Sequence, residues 1–293
     1  HIADPLTRMI DQFEKDLREK EIEYNRRETR ESGRYLQRLK LIGMTSTIAC
    51  IRKEALEIAG CEILIVEEAG ELTESMLSCI LPKSLKRMIL IGDYQQLRPK
   101  VEHEMTGEPY NYDISLFEKL VVKAKSDHAS CLFTLSVQRR MHPQISALLR
   151  EVFYNETDEQ INDADSTFQL GIPYSIPHRV RFYMHNYEEN IISSRSHENI
   201  KEAEFCASLV PFFICRGYKP EEITIISLYK GQMFLIQREI EKLYNQCKND
   251  DSSKLFDPFG NLKSPKQVKV VVLDNFQGEE NKVIIVSLVR SDK

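Results

Sequence analysis

Two apolar runs that each end in acid constrain this chain most. Cys61-Glu-Ile-Leu-Ile-Val66 leads into Glu67-Glu68-Ala69-Gly70, and Arg87-Met-Ile-Leu-Ile-Gly92 leads into Asp93-Tyr-Gln-Gln96-Leu-Arg-Pro99. Short apolar runs bounded by turn residues read as buried strands of a parallel sheet. Ligands of open α/β sheets bind outside the carboxyl ends of the strands, so Glu67, Glu68, Asp93 and Gln96 are expected at one pocket. Mg²⁺ prefers oxygen ligands and keeps several waters, so one or two carboxylates beside a nucleotide's phosphates suffice for it. On this reading Glu67 holds the metal, Glu68 orients or deprotonates the attacking water, and Gln96 senses the phosphoryl group being cleaved. A second reading stays open, because Glu67, Glu68, Glu71 and Glu74 also suit the first turn of a helix, where acids favour the macrodipole.

The 293 residues are enough for two cores of ordinary size, and 42% hydrophobic with 29% charged residues is a common soluble composition. A net charge of -5 excludes a generally basic coat, so any nucleic-acid binding must come from a local groove. Seven cysteines (Cys50, Cys61, Cys79, Cys131, Cys206, Cys215 and Cys247) contain no C-x-x-C pair and read as reduced core residues of an intracellular protein. No apolar run approaches the roughly 20 residues of a membrane-spanning helix, and no signal peptide opens the chain, so no membrane partner is expected. His1 follows no initiator Met, which points to a processed chain or a portion of a longer one.

Residues 5–40 are dense in both charge signs, with Leu6, Ile10, Phe13 and Leu17 at helical spacing, and predict a long, largely solvated helix. We assign 1–38 to this helical stalk segment. From Leu39 the pattern changes to β-rich runs at 39–42, 61–66, 87–92 and 131–137 separated by helical stretches, the alternation of a parallel, doubly wound sheet. A first α/β domain is therefore expected over 39–154. Residues 155–177 are polar and turn-rich and predict a linker. A second α/β domain over 178–293 has expected strands at Arg179–Met184, Ile223–Leu228, Lys269–Leu273 and Lys282–Val289, helices near 198–216 and 231–248, and an exposed loop at 249–265.

Further strand ends carry polar residues suited to phosphate or nucleic acid. Gly43-Met-Thr45-Ser46-Thr47 offers hydroxyls and backbone amides to a nucleic-acid phosphate or sugar, while an ordinary helix cap explains it equally well. Leu135-Ser-Val-Gln-Arg139-Arg140-Met-His-Pro143 places two arginines after a strand, and Arg is the side chain that keeps charge and a bidentate fork together. At Tyr229-Lys230-Gly231-Gln232 an aromatic, a cation and a close-approach glycine suit a nucleic-acid strand, and a plain β-to-α turn also accounts for the glycine. Asp274-Asn-Phe-Gln277-Gly278-Glu-Glu280 presents an amide, a bare backbone and a carboxylate together.

The order of these segments resembles superfamily 1 helicases, specifically the up-frameshift-like RNA helicases, and within them the large helicases bearing X-box-binding-factor-type zinc fingers. The resemblance covers roughly residues 39–293. It implies two RecA-like domains with parallel sheets that use ATP and Mg²⁺ and bind single-stranded or partly structured RNA. Glu67-Glu68-Ala69 resembles the Walker B motif, Gly92 through Pro99 the phosphate-sensing motif, and Gln138 through Pro143 the family's Gln-Tyr-Arg-Met-His-Pro. Tyr229 through Gln232 and Asp274 through Glu280 resemble the RNA-facing and coupling motifs of the second domain. Carried over residue by residue, Glu67, Glu68, Gln96 and Arg140 are the expected catalytic positions. Asp93, Arg139, Gln277, Gly278 and Glu280 are expected at the nucleotide, and Thr45, Ser46, Thr47, Tyr229, Lys230 and Gln232 at RNA.

Departures from the family pattern also carry expectations. Glu67 stands where the family has Asp, which a water-mediated Mg²⁺ contact tolerates, and Arg139 replaces the Tyr that stacks on adenine. No G-x-x-x-x-G-K-[ST] occurs in these residues. The residues stop at Val289-Arg-Ser-Asp-Lys293, just before the point where the family's final motif would supply a second arginine. An arginine finger contributes ~10³ to 10⁵ in rate, or roughly 4 to 7 kcal/mol, so these residues alone are not expected to hydrolyse ATP. The resemblance therefore implies a portion of an ATP-dependent RNA helicase motor. The rival readings are a catalytically inactive RNA-binding scaffold and a superfamily 1 DNA helicase. A cytoplasmic location, RNA granules included, and a role in RNA surveillance, silencing or antiviral defence follow from the family analogy alone.

Overall fold

The computed structural model of the protein describes residues 5–154, 161–169, 171, 178–193, 196–249 and 264–290. Helix α1 (Pro5–Leu36) is long and charged, with Ile10, Phe13 and Leu17 exposed and an Arg27–Glu31 pair at 3.2 Å one turn apart. After the short α2 (Ser46–Ile51), helix α3 (Lys53–Ala59) packs against α1. Gly33 permits the approach, because a Cβ there would stand 2.6 Å from the Ile58 Cβ.

Strand β1 (Ile63–Val66), helix α4 (Glu74–Ile80) and strand β2 (Arg87–Leu90) form a parallel crossover in which Ile63 faces Arg87 and Val66 faces Leu90. One face of the pair, through Leu64, Val66 and Leu90, joins Ala49, Ala69, Leu77 and Ile80. Phe117 and Val121 of α5 (Leu116–Ser126) complete that core. Ile63, Ile65 and Ile89 on the other face are exposed.

Strand β3 (Val137–Gln138), helix α6 (Pro143–Phe153), strand β4 (Asn162–Asp163) and helix α7 (Asp165–Phe168) follow, with β3 and β4 paired in parallel. The chain divides into two compact units. One contains the residues up to Ser136 together with Arg150–Ile161, and the other contains Val137–Leu149 together with the residues from Asn162 onward. The division falls inside α6.

In the second unit β5 (Asn190–Ser193) pairs antiparallel with β6 (Ser196–Glu198). Helix α8 (Ile200–Ile214), strand β7 (Ile223–Ser227), helix α9 (Lys230–Asn249), strand β8 (Lys269–Val272) and strand β9 (Val283–Ser287) then build a parallel sheet in the order β8-β7-β9. All five residues of β7 are buried, as a central strand of a covered parallel sheet requires. Ala203, Cys206 and Val210 of α8 and Leu235, Ile236 and Ile240 of α9 pack on Ile223, Ile225, Val270 and Ile285. Of the seven cysteines, all free, only Cys206 is buried; Cys79, Cys131 and Cys215 are exposed rather than in a core.

Three expected strands differ in the structure. Residues 39–42 are irregular, and Leu41 is exposed. The run 131–137 keeps only β3, which pairs with β4 and not with the β1–β2 sheet. Residues 179–184 form no strand, with Phe182 and Met184 exposed. Each run has strand composition, but a strand also needs a neighbour to complete its ladder, and composition does not supply one. Within the expected linker 155–177, residues 162–168 form β4 and α7, while 155–160, 170 and 172–177 lie outside the described residues, as does 250–263 of the expected loop. Among the described residues no helix is long and apolar enough to cross a membrane.

Candidate functional site

Level strand ends build the acidic edge of the first unit. The β1–β2 register continues past both strands, with the Ile91 amide donating to the Val66 carbonyl at 2.8 Å and the Ala69 amide to the Ile91 carbonyl at 2.9 Å. Glu67 and Glu68 emerge there, exposed, beside Gly92 and Asp93. Glu68 adopts a left-handed backbone (φ 51°), a conformation that costs a non-glycine residue about 1–2 kcal/mol. Glycines make the two turns fit: a Cβ on Gly70 would meet the Asp93 carbonyl at 3.1 Å, and one on Gly92 would meet the Ala69 and Gly70 amides at 3.1 Å. The helix-dipole reading of the four acids applies to Glu74 at the start of α4 and to Glu71 in the 3-10 turn Ala69–Glu71, and not to Glu67 or Glu68. Helix α4 is capped by the Thr73 hydroxyl accepting from Met76 N at 3.2 Å, and Glu67 and Glu68 precede it.

Asp93 is the hub of the segment 92–99. Its Oδ1 accepts from the Gln95 amide at 2.9 Å, and its Oδ2 accepts from Gln96 Nε2 at 3.0 Å and from the Tyr154 hydroxyl at 2.5 Å. Burial first, and then the hydrogen bond to Asp93, push the Tyr154 hydroxyl well above its ordinary value of 10.0. Nearby, Arg98 pairs with Asp113 at 3.1 Å and Glu118 at 2.7 Å, which fixes the end of the same segment. The expected nucleic-acid hydroxyls at Thr45, Ser46 and Thr47 begin α2. The Thr45 hydroxyl is the helix cap, accepting from Ile48 N at 3.4 Å, while Thr47 is exposed.

In the second unit Gln138 folds the arginine loop. Its Oε1 accepts from the Arg140 and Met141 amides at 3.0 and 2.8 Å, and its Nε2 donates to the Met141 carbonyl and to Asp163 Oδ1, each at 2.6 Å. Arg139 and Arg140 are exposed, and Arg140 Nε donates to Glu280 Oε2 at 2.6 Å. Glu280 lies in the turn after β8, where Gly278 takes φ +75° next to the half-buried Gln277. The structure thus joins two motif segments that are far apart in the chain.

Tyr229 stacks at a tilt on His197, ring centroids 5.0 Å apart, and Lys230 opens α9 exposed. Gly231 packs under β6: a Cβ there would stand 2.7 Å from Glu198 Oε1 and 2.8 Å from Ser196 Oγ. The expected RNA contact by Gln232 is corrected. Its side chain is 0% exposed, Oε1 accepts from Asn199 N at 2.8 Å, and Nε2 donates to Asn199 O at 3.1 Å and Ser287 Oγ at 3.2 Å. With both ends of its amide engaged inside the fold, Gln232 holds α8, α9 and β9 together. Sequence reasoning missed Asn199 and Glu202, whose carboxylate accepts from Ser287 Oγ at 2.7 Å and Val289 N at 3.1 Å, and it missed Tyr154. An Asn three residues before an acid at a helix start was a readable cap signal for Asn199; nothing in the chain marked Tyr154.

Glu67 is the exposed strand-end carboxylate of the type Mg²⁺ takes with its remaining positions on water and phosphate. Among the described residues no group of three or more His, Cys, Asp or Glu side chains is placed to hold a metal ion by itself.

A family profile described as AAA domain matches residues 112–293, and a second, also described as AAA domain, matches residues 3–104. The NFX1-type zinc finger-containing protein 1 of Mus musculus is 32% identical over 259 residues, which cover 88% of this chain and 12% of that protein. The helicase required for RNAi-mediated heterochromatin assembly 1 of Schizosaccharomyces pombe is 31% identical over 258 residues, 88% of this chain and 23% of that protein. The regulator of nonsense transcripts 1 homolog of Drosophila melanogaster is 31% identical over 236 residues, 78% of this chain and 18% of that protein. This chain therefore spans less than a quarter of the length of each of these relatives. With AAA-type α/β segments, parallel sheets and these relatives, the chain belongs to the up-frameshift-like family of superfamily 1 helicases.

Proposed function

We propose that these residues form part of the motor of an ATP-dependent RNA helicase, with two RecA-like domains and α1 as a stalk. The observation that carries the reading is the β1–β2 register, which brings Glu67–Glu68 level with the Asp93–Gln96 segment. Glu67 would hold Mg²⁺ through water, and the ion when bound neutralises phosphate charge. Glu68 accepts the proton of the attacking water or orients it, and Gln96 meets the phosphoryl group. Arg140 supplies a guanidinium to the developing charge, for which Glu280 is its partner in the structure. Asp93, Arg139, Gln277 and Gly278 belong to the nucleotide-binding set.

RNA is the proposed strand because relatives carry RNAi and nonsense transcripts in their names. Thr45, Ser46, Thr47, Tyr229 and Lys230 are its proposed contacts, through backbone, hydroxyl and stacking interactions that read little sequence. Binding of this kind weakens steeply with salt. A cytoplasmic location belongs to the same proposal.

The test is ATP hydrolysis with and without single-stranded RNA by a chain extended past both ends of these residues, beside its Glu68→Gln twin. RNA-stimulated turnover that disappears in the twin while ATP and RNA binding persist supports the motor. RNA binding with no turnover in either protein supports a non-catalytic scaffold instead.

A further inference from the structure

The Asp93 carboxylate is shared. Gln96 Nε2 and the Tyr154 hydroxyl both donate to its Oδ2, at 3.0 and 2.5 Å, while Oδ1 is held by the Gln95 amide. An ionised carboxylate only accepts, so the end of the Gln96 amide that faces it must be the nitrogen, and the carbonyl is left at the other end. A glutamine amide free to rotate presents donor and acceptor in either place; this one is held with one orientation. The Gln95 amide fixes the near oxygen of Asp93 from within its own turn. Tyr154, 61 residues away in sequence, donates to the oxygen that Gln96 uses and also meets the Gln96 side chain itself. Tyr154 is itself half-buried directly after α6, and its amide donates to the Arg150 carbonyl at 3.1 Å, so its hydroxyl is delivered by a regular helix end.

We propose that Tyr154 is a positioning residue for Gln96, holding the Asp93 carboxylate so that the Gln96 amide keeps its nitrogen inward and its carbonyl outward. The inference rests on the assignment of Gln96 to the phosphate-sensing role. It adds that this role depends on the orientation of the amide, and that Tyr154 sets the orientation without touching nucleotide.

The experiment is a double-mutant cycle on RNA-stimulated ATP turnover in the extended chain, using Gln96→Ala, Tyr154→Phe and both together. Tyr154→Phe keeps the ring and removes only the hydroxyl. It is expected to lower kcat about fivefold to tenfold with little change in KM for ATP, and to cost less than about twofold once Gln96 is already Ala, because coupled residues are non-additive. Tyr154→Leu, which also removes the hydroxyl, is expected to show the same dependence on Gln96. It serves as the second variant should Tyr154→Phe fold poorly, with thermal melting to report folding. If Tyr154→Phe or Tyr154→Leu lowers turnover by the same factor with and without Gln96, Tyr154 acts through general stability and the inference is overturned. If Gln96→Ala itself turns over at the wild-type rate, the sensor assignment fails first and takes the inference with it.

Discussion

Arg140 Nε lies 2.6 Å from Glu280 Oε2, a charge pair closed between the arginine loop and the turn after β8. Both side chains are more than half exposed, at 58% and 68%. Exposed pairs contribute about 0–1 kcal/mol, so stability does not account for bringing these two residues together. On the proposed motor reading, a nucleotide phosphate would take the place of the Glu280 carboxylate on the Arg140 guanidinium.

Arg140→Lys should therefore behave as a loss. Lysine keeps the charge but not the planar fork, and removal of an arginine that meets a transferred phosphoryl group costs ~10³-fold or more in rate. Single-turnover ATP hydrolysis in the extended chain checks this. A lysine variant at more than half the wild-type rate would remove Arg140 from the chemistry.

Glu68→Gln is expected to lower kcat by about 10² to 10⁴-fold, the range supplied by a positioned base, with nucleotide affinity retained. Equal loss of ATP binding, followed by a fluorescent nucleotide analogue, would count against Glu68 as the group acting on water.

Gln232→Leu tests the correction to the RNA-contact set. The change keeps volume but leaves the buried Asn199 amide without its acceptor, at a cost of about 1–3 kcal/mol, while the Asn199 carbonyl keeps the Ala203 amide at 3.0 Å. Denaturant unfolding of the 293-residue chain should show the loss, while RNA affinity of the remaining folded protein stays within about twofold, below the ~1–3 kcal/mol of a lost base-stacking contact. Weakened RNA binding at unchanged stability would return Gln232 to the RNA surface.

Tyr154 makes an alkaline prediction. Its hydroxyl is raised in the folded protein, first by burial and then by Asp93, above the ordinary value of 10.0. A group with a raised folded value stabilises fully below its unfolded value and loses that contribution as pH rises through the folded one. Stability of the wild-type chain should accordingly fall from about pH 10 upward, and Tyr154→Phe should fall less steeply over the same range, measured by urea unfolding at each pH. Identical slopes would mean that the hydroxyl is not shielded as the structure has it.

Much of the fold is legible in local pattern. The runs at 61–66, 87–92, 223–228, 269–273 and 282–289 became strands, and the charged stretch from Pro5 became α1, because apolar runs and helical spacing record which faces must leave water. The acidic and arginine segments were visible as well, since a chemistry needs particular side chains and the sequence lists them in order. Pairing is where the reading stopped. Residues 39–42 and 179–184 have strand composition and no ladder, and Val137–Gln138 found Asn162–Asp163 as its partner.

The same division holds within the site. The sequence by itself determined which groups are present: Glu67 and Glu68 after one strand, Asp93 and Gln96 after another, Arg140 after a third, and a glutamine at position 232. Tertiary structure decided which of them are exposed and what each one touches. It buried Gln232 against Asn199, paired Arg140 with Glu280, and brought the Tyr154 hydroxyl onto Asp93. Local spacing encodes solvent exposure along one element, whereas a hydrogen bond between residues 61 or 140 positions apart depends on how whole elements pack, which no window of sequence contains.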